Sequence, residues 1–229
     1  MYLPLYIHSN IFYQSVNLIN VQITQQQEEK IIFNQMMGLY NIGMKIVLLG
    51  DSIKMGYEKL VEKHFRERGF DYYSPTDNCR FVKYFLRFLF DEKENLKDAD
   101  VIHFNIGHWD LCQLFKDRGD NGTFSTLEEY RDGLIRITEL LLKITPNLIF
   151  ATTTHVRPEN PYNDNDVIDK FNDIATDVMT SFGVTVNDLN SLLRDDIYKY
   201  ICDDNIHLSE DGIAKCAEQV ISSIEEMIK

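Results

Sequence analysis

Five short apolar runs, each followed by a pattern typical of a helix, constrain the fold of this chain more than any other feature. Short continuous apolar runs such as Ile46–Leu49 are typical of strands that are buried on both faces of a parallel sheet. Regular alternation of strands and helices favours a doubly wound α/β sheet in three layers. The predicted strands are Ile46–Leu49, Phe70–Ser74, Val101–Asn105, Leu148–Thr153 and Val184–Val186.

Helices are predicted in the segments that connect and follow these strands. The helix after the third strand is predicted to begin at Thr126, because a glutamate three residues later completes a capping box. The first helix presents Leu60, Val61, His64 and Phe65 on one face. The acidic segment Asp91–Asn95 is predicted as a turn. The other helices are predicted at Ile53–Arg68, Phe81–Phe90, Asn163–Phe182 and Ser209–Ile228.

Residues 1–43 differ in composition from the remainder of the chain. Their only charged residues are Glu28, Glu29 and Lys30, and they lack the basic start and the cleavage site of a secretory signal. We therefore expect one domain at 44–229. Residues 1–43 are interpreted either as a poorly ordered N-terminal extension or as a mis-assigned translational start.

Charge and cysteine spacing exclude several classes of partner. The formal charge of −13 argues against binding to nucleic acid or to anionic membrane surfaces, where Lys and Arg supply the affinity. No apolar run approaches the ~20 residues that a membrane span requires. The four cysteines are widely spaced, which favours reduced thiols in a cytoplasmic protein over a disulfide framework or a zinc site.

The tripeptide Gly50-Asp51-Ser52 directly follows the first strand and opens the first helix. Unpaired backbone N–H groups and the positive end of the helix dipole favour negative charge at that point. A serine hydroxyl there can act as a nucleophile, provided that a base lies nearby in the fold.

The best candidate for that base is His207, which lies in a loop just before the last helix. Asp204, three residues earlier, can curl back to fix the tautomer of the imidazole, whereas Asp203 is out of phase and is expected to be solvated. Sites in parallel sheets form at the carboxyl ends of the strands, so this loop and Ser52 are expected to converge at one edge. The alternative is a loop histidine that is satisfied by its own aspartate.

In this arrangement the chain resembles the SGNH (GDSL-type) hydrolases over residues 44–229. Gly50-Asp51-Ser52 matches the nucleophile block of that family, and Asp204-x-x-His207, followed by Leu208-Ser209, matches the acid–base block. The resemblance implies a flavodoxin-like fold with Ser52 as nucleophile, His207 as general base and acid, and Asp204 as its orienting carboxylate. It implies hydrolysis of carboxylic esters without a metal or an organic cofactor, on a small-molecule ester such as an acetylated sugar, or on a lipid or thioester.

Two blocks depart from the common family pattern, and both concern the oxyanion hole. The block after the second strand lacks the usual glycine, so a backbone N–H of Asn78 or Cys79 is the expected substitute. In the third block, Gly107 is followed at the second position by Trp109, where the family usually has an asparagine. Asn105 is the nearest amide that could replace that donor; alternatively, it caps its strand through local hydrogen bonds.

Two other interpretations stay open at this point. One is a binding domain that keeps this fold without catalysis, since altered oxyanion blocks are also what a decayed enzyme would show. The other is a phosphate-binding module of flavodoxin or receiver type, which the acidic charge and the absence of a glycine-rich phosphate loop disfavour.

Overall fold

The computed structural model describes residues 43–114 and 122–229. Their centre is a five-stranded sheet in which every strand pairs in parallel, in the order β2-β1-β3-β4-β5. This confirms the predicted α/β fold class. The strands are β1 (Lys45–Leu49), β2 (Asp71–Tyr73), β3 (Val101–Asn105), β4 (Leu148–Ala151) and β5 (Thr185–Asn187).

The helices connect the strands and cover both faces of the sheet. Helix packing joins the first and last of them on one side, and the helices that follow β2, β3 and β4 on the other. They are α1 (Ser52–Arg66), α2 (Val82–Asp91), α3 (Lys93–Leu96), α4 (Leu127–Leu142), α5 (Asn165–Ser181), α6 (Leu189–Leu193), α7 (Ile197–Tyr200) and α8 (Glu210–Met227), with a 3-10 turn at Arg194–Asp196 between α6 and α7.

Alternating residues of the central strands supply two separate hydrophobic cores. Ile46 and Leu48 of β1 face α1 and α8, whereas Val47 and Leu49 face the opposite core with α2, α4 and α5. All four side chains are fully buried. Burial on both faces explains why β1 reads as a continuous apolar run in the sequence.

Local sequence signals predicted most of the element boundaries to within a few residues. Helix α4 begins after the capping box formed by Thr126 and Glu129, as predicted. Two expectations were wrong, and one group of short helices was not predicted. Leu60 is 45% exposed, because the buried face of α1 is set by Tyr57, Val61 and Phe65, which follow one another at four-residue spacing.

The other two differences concern short helices. Part of the acidic segment predicted as a turn forms α3, whose Leu96 is fully buried. The segment between β5 and α8 folds into α6, a 3-10 turn and α7, none of which was predicted. Asp188 caps α6 by accepting a hydrogen bond from the Ser191 N–H, and Leu193 is buried beneath it.

The expectations for residues 1–43 concern a segment that, except for Gly43, lies outside the described residues. The structure therefore leaves both interpretations of it as predictions.

A buried carboxylate joins the two loops that follow β2 and β3. Asp110, just beyond β3, accepts hydrogen bonds from the Val82 N–H at the start of α2 (3.1 Å) and from the Ser125 hydroxyl ahead of α4 (2.5 Å). Burial raises the pKa of Asp110 to about 7, although these two hydrogen bonds oppose the shift.

This raised pKa predicts a pH-dependent contribution to stability. Between about pH 4, the pKa of an unfolded aspartate, and about pH 7, the folded state binds the extra proton. The contribution of Asp110 is therefore greatest at low pH and declines as pH rises through 7. The free energy of unfolding of the non-ionising variant Asp110→Asn, relative to that of wild type, should therefore be higher at about pH 8 than at about pH 5. Urea unfolding at the two pH values measures this difference. A difference that is the same at both pH values would contradict this assignment.

Close packing of α4 against the start of α2 predicts a stability effect at one glycine. A Cβ on Gly133 would lie 2.5 Å from Val82 Cβ, so Gly133→Ala should reduce the free energy of unfolding by about 1–3 kcal/mol. Gly56→Ala is the matched control, because its Cβ would meet nothing closer than 3.6 Å and alanine favours the helix by about 0.5–1 kcal/mol. Equal effects of the two substitutions in urea unfolding would show that packing at Gly133 does not matter.

Candidate active site

Ser52 is the first residue of α1 and follows β1 after a turn of two residues. Asp51 caps the helix, since its Oδ1 accepts the N–H of Ile53 at 3.0 Å. The Asp51 side chain is fully buried, whereas Ser52 is partly exposed. The turn therefore presents the serine hydroxyl at a helix N-terminus, where backbone N–H groups favour developing negative charge.

Asn105, the last residue of β3, holds this turn from the neighbouring strand. Its Nδ2 donates to Asp51 Oδ1 at 2.8 Å. A Cβ on Gly50 would lie 1.9 Å from Asn105 Oδ1, so any residue larger than glycine would displace the amide. Asn105 thus braces the turn of the candidate nucleophile, a contact that neither of its two predicted roles included.

The loop between α7 and α8 supplies an imidazole and a carboxylate. His207 Nε2 lies 3.0 Å from Ser52 Oγ, and His207 Nδ1 lies 2.6 Å from Asp204 Oδ2. With Nδ1–H donating to the carboxylate, Nε2 is free to accept the serine proton. The structure thus brings the three predicted residues into one hydrogen-bonded row.

Asp204 is held in its ionised form by its own loop. Burial opposes its ionisation, but hydrogen bonds from the backbone N–H groups of His207 (2.9 Å) and Ile206 (3.0 Å) outweigh burial. The Cys202 thiol also donates to Asp204 Oδ1, at 3.1 Å. Together these contacts keep the pKa of Asp204 well below its usual range, so a carboxylate faces the imidazole at neutral pH.

The site is open to solvent. The side chains of His207 and Asp204 are 46% and 47% exposed. Asp203 is fully exposed at its side chain, in line with its predicted solvation, but it also contacts Arg157 at 2.8 Å.

The two backbone donors expected after β2 are engaged within the protein. The Cys79 N–H donates to the Gly50 carbonyl at 2.8 Å, and the Asn78 N–H donates to Asp77 Oδ1 at 2.9 Å. The expectation that one of these N–H groups receives an oxyanion is therefore not supported by this geometry. Cys79 is fully buried, and desolvation raises the pKa of its thiol far above the ordinary value.

The Asn78 side chain offers a different donor in the same place. Its Oδ1 accepts the Arg80 N–H at 3.0 Å, which leaves Nδ2 without a partner among the described residues. The bond from Cys79 to Gly50 holds this segment beside the turn that carries Ser52. Arg80 itself pairs with Asp77 at 3.2 Å.

Gly107 and Trp109, the predicted residues of the third block, differ in what they contact. Gly107 lies against the segment that follows β4, since a Cβ there would be 2.0 Å from Thr153 Oγ1. Trp109 is 46% exposed and supplies no amide at the position where the family usually has asparagine. The glycine therefore serves close packing, and the tryptophan is available to a ligand at the surface.

His108, between these two residues, is buried and internally bonded. Its Nδ1 lies 3.1 Å from Asn163 Nδ2, and its Nε2 lies 3.3 Å from Thr154 Oγ1. Desolvation lowers the pKa of His108, so the ring is neutral and ties the loop after β3 to the loop after β4. No sequence pattern linked these three residues.

Within residues 43–114 and 122–229, no cluster of His, Cys, Asp or Glu has the makings of a metal site. In the same ranges, no helix combines the length and the apolar character needed to cross a membrane.

Comparison with known proteins gives matches at the level of structure. No protein-family model and no curated protein matches the chain. A lipase/acylhydrolase from Enterococcus faecalis is 19% identical with a TM-score of 0.67, over 80% of this chain and 96% of that one. An acetylxylan esterase from Geobacillus stearothermophilus, solved as a catalytic mutant, is 16% identical with a TM-score of 0.65 over the same shares.

A candidate GDSL-like lipase from Parabacteroides merdae is 17% identical with a TM-score of 0.62, over 81% of this chain and 97% of that one. These likenesses establish the fold. The chain shares the five-stranded parallel sheet with flanking helices with these three solved proteins, which are named as a lipase/acylhydrolase, an acetylxylan esterase and a GDSL-like lipase.

Proposed function

We propose that this protein is a serine hydrolase that cleaves carboxylic esters through an acyl-enzyme. The observation that carries the proposal is the row Ser52–His207–Asp204, with separations of 3.0 and 2.6 Å, at the N-terminus of a helix. A hydroxyl, an imidazole and a carboxylate in contact in this order are the parts that nucleophilic acyl transfer requires.

The reaction proceeds in two halves. Ser52 Oγ attacks the ester carbonyl carbon while His207 Nε2 takes its proton, and the resulting imidazolium is stabilised by Asp204. His207 then returns the proton to the leaving alcohol oxygen as the ester C–O bond breaks. A water molecule repeats the attack on the acyl-enzyme, giving up its proton to His207, and the acid is released as Ser52 regains that proton.

The oxyanion of each tetrahedral intermediate requires hydrogen-bond donors near Ser52. The Ser52 N–H is one, because the first N–H of a helix has no acceptor within the helix. We assign the second to the Asn78 side-chain amide, whose Nδ2 is unpartnered among the described residues. In this assignment the Asn78 side chain takes the role expected of the backbone N–H groups of Asn78 and Cys79, which are engaged elsewhere. It also takes the role of the side-chain amide that the chain lacks at Trp109.

The proposed substrate is a short acyl ester, such as acetyl, on a carbohydrate or a similar bulky alcohol. Two observations support this choice over a long-chain lipid. His207 and Asp204 are about half exposed, which leaves room for a large alcohol, and Trp109 presents an exposed aromatic surface next to Gly107. Among the proteins of similar fold, the acetylxylan esterases bear names that fit the same class. A lipase or a thioesterase with the same triad is the alternative within the family.

A binding domain without catalysis is a second candidate, and one specific observation favours it. The backbone N–H groups of Asn78 and Cys79 are both occupied, and Trp109 has no amide, so the usual oxyanion donors are absent from these positions. The two candidates differ in whether the protein turns over an ester. The expectation of a cytoplasmic protein also stays a prediction.

Removing the nucleophile or the base should abolish turnover. We expect Ser52→Ala and His207→Ala to lower kcat on a short-chain chromogenic ester by at least about 10³-fold, because each removes a group that acts as a unit with the other. His64→Ala is the matched control, since His64 pairs with Glu225 between α1 and α8 and takes no part in the row. An inert wild type, or a Ser52→Ala variant with full activity, would favour the binding domain instead.

Removing the assigned oxyanion donor should slow the chemical step selectively. Asn78→Ala is expected to lower kcat by about 10²-fold or more while KM changes little, as for loss of one oxyanion donor. Asn95→Ala, which loses a surface contact to Glu92, serves as control. If Asn78→Ala leaves kcat unchanged in a stable protein, another group receives the oxyanion.

A further inference from the structure

One arginine binds the loop that carries the candidate base to the segment after β4. We call residues 201–208, between α7 and α8, the acid–base loop. Arg157 Nη2 donates to the carbonyl oxygens of Ile201 (2.5 Å) and Tyr198 (3.2 Å), and its Nη1 contacts Asp203 Oδ1 at 2.8 Å. The same residue donates its backbone N–H to the Asn205 carbonyl at 3.1 Å.

These contacts bracket Asp204 from both sides. Ile201 and Asn205 lie at either end of the tight turn that presents the carboxylate, and the Asn205 N–H closes that turn on the Cys202 carbonyl at 3.0 Å. Asn205 has a φ of 69°, the left-handed conformation that asparagine tolerates better than most residues. One residue of another loop thus fixes both the start and the end of the turn.

The contacts of Arg157 are unequal in energetic value. The Asp203 side chain is fully exposed, and an ion pair in that setting contributes little because water and salt screen it. The carbonyl contact to Ile201 is partly buried, and only 15% of the Arg157 side chain is exposed. Among the side-chain contacts of Arg157, the bond to the Ile201 carbonyl is therefore the one that holds the loop, whereas the bond to Tyr198 in α7 is exposed.

Arg157 is also suited to this task by its shape. A planar guanidinium can reach the carbonyls and Asp203 at once, whereas the compact ammonium of lysine cannot reproduce that fork. The Arg157 Nε is buried without a hydrogen-bond partner among the described residues. An unpaired buried N–H costs stability. The contacts of the two Nη groups therefore have to offset this cost in the observed position.

We propose that Arg157 is a positioning residue for the candidate base: by clamping the acid–base loop, it sets the contact of Asp204 with His207 and so the reach of His207 toward Ser52. This inference rests on the proposed function for its catalytic consequence. It does not rest on it for the geometry, because the loop contacts exist whether or not an ester is cleaved. Small displacements of such a constellation cost up to about 10²-fold in rate.

The kinetic test compares four variants with wild type on the same chromogenic ester. Arg157→Gln should lower kcat by about 10- to 100-fold with little change in KM, because ground-state binding does not involve this loop contact. The kcat of Arg157→Lys should lie between that of wild type and that of Arg157→Gln. This variant keeps the test valid if Arg157→Gln does not fold. Asp203→Ala should stay within about twofold of wild type. Arg87→Gln, which removes the exposed pair with Asp91, is the matched control.

A second readout separates this inference from the proposed function. In NMR spectra of the resting protein, the Nδ1 proton that His207 shares with Asp204 should be protected from solvent in wild type and in Arg87→Gln. In Arg157→Gln it should broaden or disappear. If no ester is hydrolysed but this signal is lost in Arg157→Gln, the proposed function fails and the positioning role stands. If wild type is active and both kcat and the signal are unchanged in a folded Arg157→Gln, the positioning role is wrong.

Discussion

The hydrogen bond from Asn105 to Asp51 is the interaction on which the candidate site depends. It joins the ends of two neighbouring strands, and it forms only because Gly50 has no Cβ in the space that the amide occupies. The same Asp51 oxygen caps α1, so one carboxylate fixes both the direction of the helix and the position of Ser52 at its start. The nucleophile is thus placed by the sheet and does not depend on a mobile loop.

The other half of the site is built near the end of the chain on a different principle. The acid–base loop holds its own carboxylate through backbone N–H groups, and Arg157 ties that loop to the segment after β4. Parallel pairing brings the two halves together, since the strands end at the same edge of the sheet. The Ser52 half of the site is therefore held by the strands of the sheet. The half with Asp204 and His207 is held by hydrogen bonds within the acid–base loop and from Arg157.

Sequence reasoning succeeded where the determinants are local. The apolar runs predicted the strands, and the capping box predicted the start of α4. The motifs also singled out Ser52, Asp204 and His207, which lie in contact in the fold, while their catalytic roles stay a prediction. It failed where the determinants are tertiary. The Cys79 N–H is taken by a carbonyl 29 residues earlier in the chain, and the contacts of Arg157 lie 41 to 48 residues away. Such pairings follow from the completed fold and leave no periodic signal.

Covalent labelling tests most directly whether this row of residues generates a nucleophile. Wild-type protein would be treated with a fluorophosphonate, and the modified residue located by peptide mass spectrometry. The account predicts one stoichiometric adduct on Ser52, no adduct in Ser52→Ala, and much slower labelling in His207→Ala, because the imidazole removes the serine proton. Absence of an adduct on a folded wild type, or an adduct on another residue that persists in Ser52→Ala, would contradict it.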